Sequence, residues 1–307
     1  MQPPMVSLID EEPTQATHPA CVMVFNANDP SGAGGLAADV TAIASVGAHP
    51  LPIVTGAYAR DTAEIFDHFA FDEDAVTEQA RAALEDVQVQ VIKVGFVGSP
   101  ENLSVIAGIA ADYADAPLIA YMPDLSWWDE VQIDLYLDAF KELILPQTTV
   151  LVGNHSTLWR WLLPDWSTER SPGARDIARA AQELGVSYTL VTGIPLPDQF
   201  IDNVLASSLA VLASEKFERF EAVFSGAGDT LSAALAALLA SGDDLAESFT
   251  EALSYLDRCL EGGFRPGMGH IVPDRLFWAL PEEDTEADSD EPSSFSTLDF
   301  PSNDTKH

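Results

Sequence analysis

The chain has little positive charge and little cysteine. Its 307 residues include 14 lysine and arginine residues against 49 aspartate and glutamate residues, a net charge of −35. Such a surface repels nucleic acid and anionic membranes, so we expect neither as a partner. The two cysteines, Cys21 and Cys259, are too few for a disulfide framework or a cysteine zinc site, and they suit a reducing compartment.

Long apolar runs and a secretory pattern are also missing. We find no apolar run of about 18 residues, so no membrane span is predicted. The first residues lack a basic segment followed by an apolar one, and we therefore expect a cytoplasmic protein. Two explanations of the acidity stay open. Either the surface is adapted to high salt, where dense carboxylates stay hydrated and their mutual repulsion is screened, or the protein is an ordinary acidic one.

Composition divides the chain into three parts. Residues 1–19 are polar and hold four prolines, which predicts a flexible arm. Residues 20–280 alternate between apolar and amphipathic segments and predict the folded domain. Residues 281–307 are acidic, rich in serine and proline, and without apolar periodicity, which predicts a disordered tail.

Short, β-rich apolar runs alternate with helical patterns through the central part. Strands are predicted at 21–25, 51–57, 89–97, 117–121, 148–153, 187–191 and 218–224. The clearest helices are predicted at 75–85, 101–113, 132–144, 173–184 and 229–240. Nearly continuous apolar strands separated by helices predict an α/β fold with a parallel sheet covered on both faces. Ligands in such sheets bind at the carboxyl ends of the strands.

The first candidate loop follows the strand that ends at Phe25, and a helix follows the loop. Its polar residues and glycines are Asn28, Asp29, Ser31, Gly32, Gly34 and Gly35. Glycine lets the backbone approach a ligand, and Asp29 can accept a hydrogen bond from a small molecule. The alternative is that Asp29 caps the helix. The loop lacks the lysine of a P-loop.

The second candidate loop begins at Ser225 and opens a helix whose apolar face is Leu231, Leu235, Leu238 and Leu239. The N–H groups of residues 226–229 form an anion hole at the positive end of this helix. If a phosphoryl group occupies the hole, Asp229 lies beside it and can take a proton from an attacking hydroxyl. The alternative is that Asp229 is a helix cap worth roughly 1 kcal/mol.

Five motifs together resemble the ribokinase-like superfamily, and within it the hydroxymethylpyrimidine/phosphomethylpyrimidine kinases of thiamine biosynthesis. NANDPSGAGGLAAD (26–39) is similar to the family loop A-G-[ST]-D-x-S-G-G-A-G-I-Q-A-D, and GAGDTLSAALA (226–236) to G-[TS]-G-[CD]-T-L-[SA]-x-A-[IL]-A. KVGF (93–96), LILPQTTVLVGN (143–154) and GFRPGMGHIVPDRLFW (263–278) resemble three further family segments. The resemblance spans about residues 20–280.

The resemblance implies a three-layer ribokinase-like fold, a central mostly parallel sheet with helices on both faces, and a homodimer. It implies that ATP and Mg²⁺ are used to phosphorylate a small molecule, 4-amino-5-hydroxymethyl-2-methylpyrimidine, and then its monophosphate. By position, Asp229 is the general base, and Gly226, Ala227 and Gly228 form the anion hole. The implied substrate-binding residues are Asn28, Asp29, Gly32, Arg60 and Phe96, and the implied ATP-binding residues are Asn154, Thr192 and Gly193.

The chain departs from the family pattern at several of these positions. Asp229 replaces the usual cysteine, as in ribokinase and many pyridoxal kinases, and Arg60 replaces the glutamine of Q-N-T. Arg60 can pair with a phosphate or with Asp61. The aspartate of D-P-V-M is Met122, the glutamate of N-x-x-E is absent after Asn154, and K-G-G is replaced by residues 192–194. The metal ligands therefore stay unassigned, with Asp124 as a candidate.

Two alternative functions remain open: a pyridoxal or pyridoxine kinase, and a non-catalytic ligand-binding protein on the same fold. Trp127 and Trp128 lie in a loop that covers the substrate, or they are core or dimer contacts. His155 and His270 are interpreted as loop residues without a metal.

Overall fold

The computed structural model describes residues 18–279. The predicted tail (281–307) lies outside the described residues, as do all but the last two residues of the predicted arm (1–19). The compact unit of the fold ends at Phe277, and Trp278 and Ala279 are the described residues of a second unit. No helix within residues 18–279 has both the length and the apolar character needed to cross a bilayer.

Nine strands in the described residues form one sheet. They are β1 (Cys21–Asn28), β2 (His49–Arg60), β3 (Ile65–Ala70), β4 (Val91–Val94), β5 (Leu118–Met122), β6 (Val150–Asn154), β7 (Tyr188–Pro195), β8 (Phe200–Ala206) and β9 (Val211–Glu218). Their order is β3-β2-β1-β4-β5-β6-β7-β8-β9. The pairs between neighbouring strands from β2 to β7 in that order are parallel. The pairs at the two edges are antiparallel: β3 with β2, β8 with β7, and β9 with β8.

The α-helices follow most of the parallel strands. They are α1 (Gly35–Ser45), α2 (Glu73–Leu84), α3 (Pro100–Asp112), α4 (Glu130–Ala139), α5 (His155–Leu162), α6 (Ala174–Glu183), α7 (Ala227–Ala240) and α8 (Leu245–Glu261). After α4 the chain continues through a π-helical turn, Phe140–Ile144, and a 3-10 turn, Leu145–Gln147.

The sheet separates two apolar cores because successive side chains of a strand point to opposite faces. In β1, Met23 and Phe25 belong to the core shared with α2 through α6, and Val22 and Val24 belong to the core shared with α1, α7 and α8. All four side chains are buried. The predicted three-layer α/β architecture, with helices on both faces of a mostly parallel sheet, is therefore confirmed.

Elements at the sheet edges differ from the predictions. The predicted strand at 218–224 is wrong: β9 ends at Glu218, and Phe224 makes only an isolated bridge to Ile271. The chain bends after Glu218 so that the rings of Phe220 and Phe224 meet edge to face, with centroids 5.5 Å apart. The sequence patterns did not predict β3, β8, β9 or α5.

Candidate active site

The two glycine-rich loops meet at the carboxyl end of β1. The loop after β1 runs into α1, and α7 begins beside it on the same face of the sheet. The backbone N–H of Gly35 donates to Oδ2 of Asp229 at 3.1 Å, although the two residues are 194 positions apart in the chain. The structure thus brings the loop that holds Asp29 into contact with the loop that holds Asp229.

The start of α7 is shaped by two glycines. Gly226 precedes the helix with φ of 86°, and a Cβ atom there would lie 1.6 Å from the carbonyl oxygen of Ala33. A Cβ on Gly228 would lie 2.2 Å from the hydroxyl oxygen of Tyr121. No side chain caps the helix, so the first N–H groups of Ala227 and its neighbours stay available to an anion.

Asp229 does not cap its own helix, so that alternative does not hold. Its Oδ1 accepts from Asn26 Nδ2 at 3.0 Å and lies 3.4 Å from Lys93 Nζ, while Oδ2 accepts from Gly35. The side chain is 15% exposed. Residues of β1 and β4 and the loop after β1 therefore hold the carboxylate in place, next to the uncapped N-terminus of α7.

A buried ionic cluster lies beneath Asp229. Lys93 Nζ is 2.5 Å from Asp39 Oδ1, and Asn26 Nδ2 donates to Asp39 Oδ2 at 2.7 Å. The side chains of Lys93 and Asp39 are 0% exposed. Burial raises the pKa of Asp39 to about 6, and the charge of Lys93 counteracts that rise. Sequence reasoning assigned no role to Asn26, Asp39 or Lys93, although a lysine inside the apolar strand VIKV signals a buried partner.

Asp29 is occupied by its own loop. Its Oδ1 accepts from the N–H and the hydroxyl of Ser31 at 2.8 and 2.6 Å, and Oδ2 accepts from the N–H of Gly34 at 2.8 Å. The Arg60 Nη1 atom lies 3.2 Å from the same Oδ2. Asp29 therefore holds its own loop in a turn and does not cap α1, because Gly34 is the N-cap residue and no side chain caps that helix. A role for Asp29 in binding the substrate stays a prediction.

The other expected substrate residues have different environments. The Arg60 guanidinium is 10% exposed and reaches Ser225 Oγ at 3.4 Å and the Asp61 carbonyl at 2.9 Å. It therefore pairs with Asp29 and with the backbone of Asp61. Asn28 is exposed at the end of β1, and the carbonyl of Gly32 accepts from Arg275 at 3.3 Å.

Phe96 lies inside an aromatic cluster beside the site. Its ring centroid is 4.9 to 5.7 Å from those of His68, Tyr136, Trp128, Trp127 and Tyr58. The two tryptophans stack on each other and pack against the core, which favours the core interpretation over a substrate lid. Burial lowers the pKa of His68 to about 4. Sequence reasoning missed His68, whose buried Nε2 has no partner in the described residues.

The three expected nucleotide residues lie together at the carboxyl ends of β6 and β7. Asn154 pairs in register with Thr192, and its side chain caps α5 by accepting from Ser156 at 3.0 Å. The N–H of Gly193 donates to Asn203 at 3.0 Å. The interpretation of His155 as a loop residue is wrong, because it is the buried first residue of α5.

The donors needed for a protein-built magnesium site do not assemble. Met122 is buried, and Asp124 is 55% exposed and lies 3.6 Å from Arg160. Among residues 18–279 no group of three His, Cys, Asp or Glu side chains could hold a metal ion. A site built from protein ligands alone is therefore not found in this part of the chain, and a Mg²⁺ ion here would depend on phosphate oxygens and water for most of its ligands.

The segment that follows α8 closes the site. The N–H of His270 donates to the carbonyl of Thr62 at 3.0 Å, which ties this segment to the turn between β2 and β3. Nδ1 of His270 lies 3.1 Å from Ser225 Oγ. Burial lowers the pKa of Arg275, whose guanidinium contacts both glycine-rich loops. Nothing in the local sequence around Arg275 signals that its side chain is buried.

Solved structures share this fold. Pyridoxal kinase from Bacillus subtilis in an ADP complex superposes with a TM-score of 0.76 at 19% identity, covering 85% of this chain and 99% of that one. Phosphomethylpyrimidine kinase from Clostridium difficile 630 superposes with a TM-score of 0.63 at 18% identity, covering 77% of this chain and 99% of that one.

Sequence comparison identifies the family. The hydroxymethylpyrimidine/phosphomethylpyrimidine kinase of Streptomyces coelicolor is 25% identical over 272 residues, which cover 88% of this chain and 99% of that protein. The enzyme of the same name from Mycobacterium tuberculosis H37Rv is 26% identical, covering 84% of this chain and 94% of its own length. The phosphomethylpyrimidine kinase family model matches residues 29–274, and the chain therefore belongs to that family.

Proposed function

We propose that the protein is an ATP-dependent kinase of thiamine biosynthesis that acts in the cytoplasm. Its substrates are 4-amino-5-hydroxymethyl-2-methylpyrimidine and the monophosphate of that alcohol. The observation that carries the proposal is the placement of the Asp229 carboxylate beside the uncapped N-terminus of α7. Family membership and the names of the related enzymes support the substrate class.

In the proposed reaction the γ-phosphoryl group of ATP lies against the N–H groups of Gly226, Ala227 and Gly228. The substrate hydroxyl oxygen attacks the γ-phosphorus and gives its proton to Asp229. The bond from the γ-phosphorus to the bridging oxygen breaks, and ADP leaves with the electron pair. The N–H groups and the helix dipole stabilise the charge of the transferring phosphoryl group, which is the main catalytic contribution expected for this chemistry.

Other parts of the site receive supporting roles in the proposal. The ion pair of Arg60 with Asp29 holds the end of β2 against the loop after β1, which is the side of the site where we place the substrate. Phe96 supports this side from within the aromatic cluster. Asn154, Thr192 and Gly193 lie where β6 and β7 end, a position that suits the nucleotide. We propose that any Mg²⁺ arrives with ATP and is coordinated mainly by phosphate oxygens and water, because no group of three donor side chains assembles within residues 18–279.

The assay that tests the function uses the purified protein, ATP, magnesium chloride and the pyrimidine alcohol, with pyridoxal in parallel. We expect phosphorylated pyrimidine from the native protein. Asp229→Asn should lower kcat by about 10² to 10⁴, the usual effect of losing a general base, while the affinity for ATP is little changed. Preference for pyridoxal would replace the proposed substrate, and binding without turnover of either alcohol would leave a non-catalytic protein.

Asp124→Asn is the matched control for Asp229→Asn. Both substitutions remove one carboxylate charge, and Asp124 is the acidic residue that follows the position of the missing metal ligand. If Mg²⁺ is held by the nucleotide, this variant should keep the native kcat. A loss comparable to that of Asp229→Asn would show that Asp124 acts in catalysis.

We also propose that the protein forms a homodimer. The edge strand β3 supports this, because Phe66 and Phe69 expose 64% and 61% of their surface. Exposed phenylalanines on an unpaired sheet edge favour association with another chain. The mass in solution, measured by light scattering at low and molar salt, should be twice 33.0 kDa. A monomer at both salt concentrations contradicts the proposal.

A further inference from the structure

The ionic cluster beneath Asp229 contains one cation between two carboxylates. Lys93 Nζ lies 2.5 Å from Asp39 Oδ1 and 3.4 Å from Asp229 Oδ1, and the Asn26 amide donates to both acids. Asp229 is partly exposed and adjoins the phosphoryl site. Asp39 and Lys93 are fully buried and cannot touch a substrate. Nothing in the phosphoryl-transfer step itself requires them.

Other polar and charged side chains of the described residues also face Asp229. Tyr58 and Tyr121 face it from β2 and β5, and burial raises the pKa of each, so both are neutral. Arg275 also acts on it from the closing segment; its donors are turned to Thr230 and to backbone carbonyls, which are neutral and leave its positive charge uncompensated. The Arg60 and Asp29 charges compensate each other. Lys93 is the cation in direct contact with Asp229, and Arg275 adds a positive charge that the variants below leave unchanged.

Two carboxylates at close range disfavour each other's ionised form, and a cation between them reverses that effect. The pKa of Asp39, about 6, keeps it ionised at neutral pH in spite of its burial. Lys93 is nearer to Asp39 than to Asp229, so most of its charge compensates the buried acid. The cluster as a whole then carries one uncompensated negative charge.

We propose that Lys93 and Asp39 are a positioning pair that sets the basicity of Asp229. Lys93 keeps the Asp229 carboxylate ionised and aimed at the phosphoryl site. The negative charge of Asp39 offsets most of the positive charge of Lys93, so that Asp229 stays basic enough to accept a proton. The inference rests on the proposed function, because it assumes that Asp229 takes the proton of the substrate hydroxyl.

The charge balance across the reaction supports this arrangement. Before transfer, the two carboxylates and the ammonium group sum to one negative charge. When the hydroxyl proton moves to Asp229, Lys93 faces only the carboxylate of Asp39. The buried cluster becomes neutral in the same step that forms the new oxygen–phosphorus bond. Proton transfer thus lowers the negative charge of these three groups by one, while Arg275 keeps its positive charge.

The test measures kcat/KM against pH for Lys93→Met, Asp39→Asn and the double variant. Lys93→Met leaves two carboxylates facing each other, and the acid limb should move to higher pH by about one unit. Asp39→Asn gives Asp229 the whole lysine charge, and the acid limb should move to lower pH with a lower kcat. This shift should be the smaller one, because native Asp39, with a pKa of about 6, already binds a proton over the lower part of the limb. Lys216→Met, on the exposed side of β9, is the control and should leave the profile unchanged.

Opposite shifts are the discriminating result. A purely structural role for the pair would lower activity in both variants without moving the acid limb, or would move it in one direction. Either of those outcomes overturns the proposal. If Lys93→Met does not fold, the double variant keeps the charge balance of the core, and its acid limb should lie above that of Asp39→Asn.

A second measurement separates this inference from the proposed function. The carboxyl ¹³C titration of Asp229, followed by NMR in the native protein and each variant, needs no turnover. Its midpoint should shift in the same opposite directions. Absence of turnover with these shifts present contradicts the kinase proposal alone, whereas turnover with unmoved midpoints contradicts the positioning pair alone.

Discussion

Arg275 donates from its buried Nε to the hydroxyl of Thr230 at 2.9 Å, which joins the segment after α8 to the first turn of α7. The same guanidinium donates to the carbonyls of Ala33 and Gly32 at 2.5 and 3.3 Å. Thr230 in turn donates to the carbonyl of Gly226 at 2.7 Å. Arg275 thus links both glycine-rich loops, in addition to the direct hydrogen bond from Gly35 to Asp229.

Replacing Arg275 by lysine should disturb both loops, because an ammonium group cannot donate to all three acceptors in the geometry of a guanidinium fork. Buried acceptors left without a donor cost about 1–3 kcal/mol each, so we expect a loss of stability of about 2–4 kcal/mol. Turnover should fall as well, since Gly226 and Asp229 lose their support. Urea unfolding and steady-state kinetics measure the two effects.

Arg258→Lys is the matched control. Arg258 is exposed on α8, and its guanidinium lies 4.2 Å from the ring centroid of Phe277. An exposed cation–π contact contributes about 0.5–1 kcal/mol, so this variant should stay close to the native protein in stability and in kcat. Equal losses in the two variants would contradict the linking role of Arg275.

Gly226→Ala should be among the most damaging single changes at the site. The added Cβ would lie 1.6 Å from the Ala33 carbonyl oxygen, a distance that the backbone can relieve only by separating the two loops. Gly242→Ala shares the positive φ, 96° against 86°, but its Cβ meets no atom within 4 Å. Backbone strain alone costs about 1–2 kcal/mol.

The comparison of these two alanine variants isolates the effect of loop contact. We expect Gly242→Ala to lose the strain energy and keep its kcat, and Gly226→Ala to lose several-fold more stability together with its activity. Thermal unfolding and the kinase assay measure both. Similar stability losses would mean that the loops separate easily and that their contact is unimportant.

Patterns within the chain were sufficient to predict the middle of the fold. The buried parallel strands are continuous apolar runs, and α7 carries the apolar face of Leu231, Leu235 and Leu238 that predicted a helix at 229–240. Edge strands were missed because they are half exposed. In β3, two polar residues separate Phe66 from Phe69, so the strand has no continuous apolar run. Local pattern predicts burial best where both faces of a strand are covered.

The site was predictable only in part, because its decisive contacts join distant parts of the chain. Asp229 was identified from its place at the start of a helix. Its partners Asn26 and Lys93 are 203 and 136 residues away, and only the fold brings them together. Two other contacts between separate parts of the chain were also not predicted. Arg60 pairs with Asp29, and Arg275 donates to the carbonyl of Ala33, 242 residues earlier.

His68→Phe should stabilise the protein, and more so in acid. Burial lowers the pKa of His68 from 6.5 to about 4, so between these values the unfolded state binds a proton that the folded state does not. Native stability therefore falls as pH drops from about 6.5 to about 4. Phenylalanine removes this penalty, which is about 2 kcal/mol at about pH 5, and it removes an unpartnered buried nitrogen.

Urea unfolding at about pH 8 and about pH 5 measures the difference in free energy of unfolding between the native protein and His68→Phe. The first pH lies above both pKa values of His68, and the second lies between them. His49→Gln is the control, because His49 is exposed at the start of β2 and its substitution should leave the pH dependence unchanged. A constant difference between native protein and His68→Phe at both pH values would show that His68 is protonated equally in the folded and unfolded states.

Salt should stabilise the folded protein, because a net charge of −35 repels itself in the compact state. The screening length falls from about 10 Å at 0.1 M to about 3 Å at 1 M salt, so neighbouring carboxylates stop interacting over that range. We expect the free energy of unfolding to rise with sodium chloride. Chloride is preferable to sulfate, which stabilises proteins by exclusion whatever their charge.

Asp134→Asn tests whether repulsion between surface carboxylates causes that rise. Asp134 is exposed on α4 and lies four residues from Glu130 and four from Asp138, both also exposed. Each like-charge pair at this spacing costs about 0.2–0.5 kcal/mol, so the variant should gain up to about 1 kcal/mol at low salt and nothing at about 1 M. A gain that persists in molar salt would mean that Asp134 destabilises α4 through helix propensity. If the native protein also fails to gain stability from salt, its acidity is not an adaptation to a saline environment.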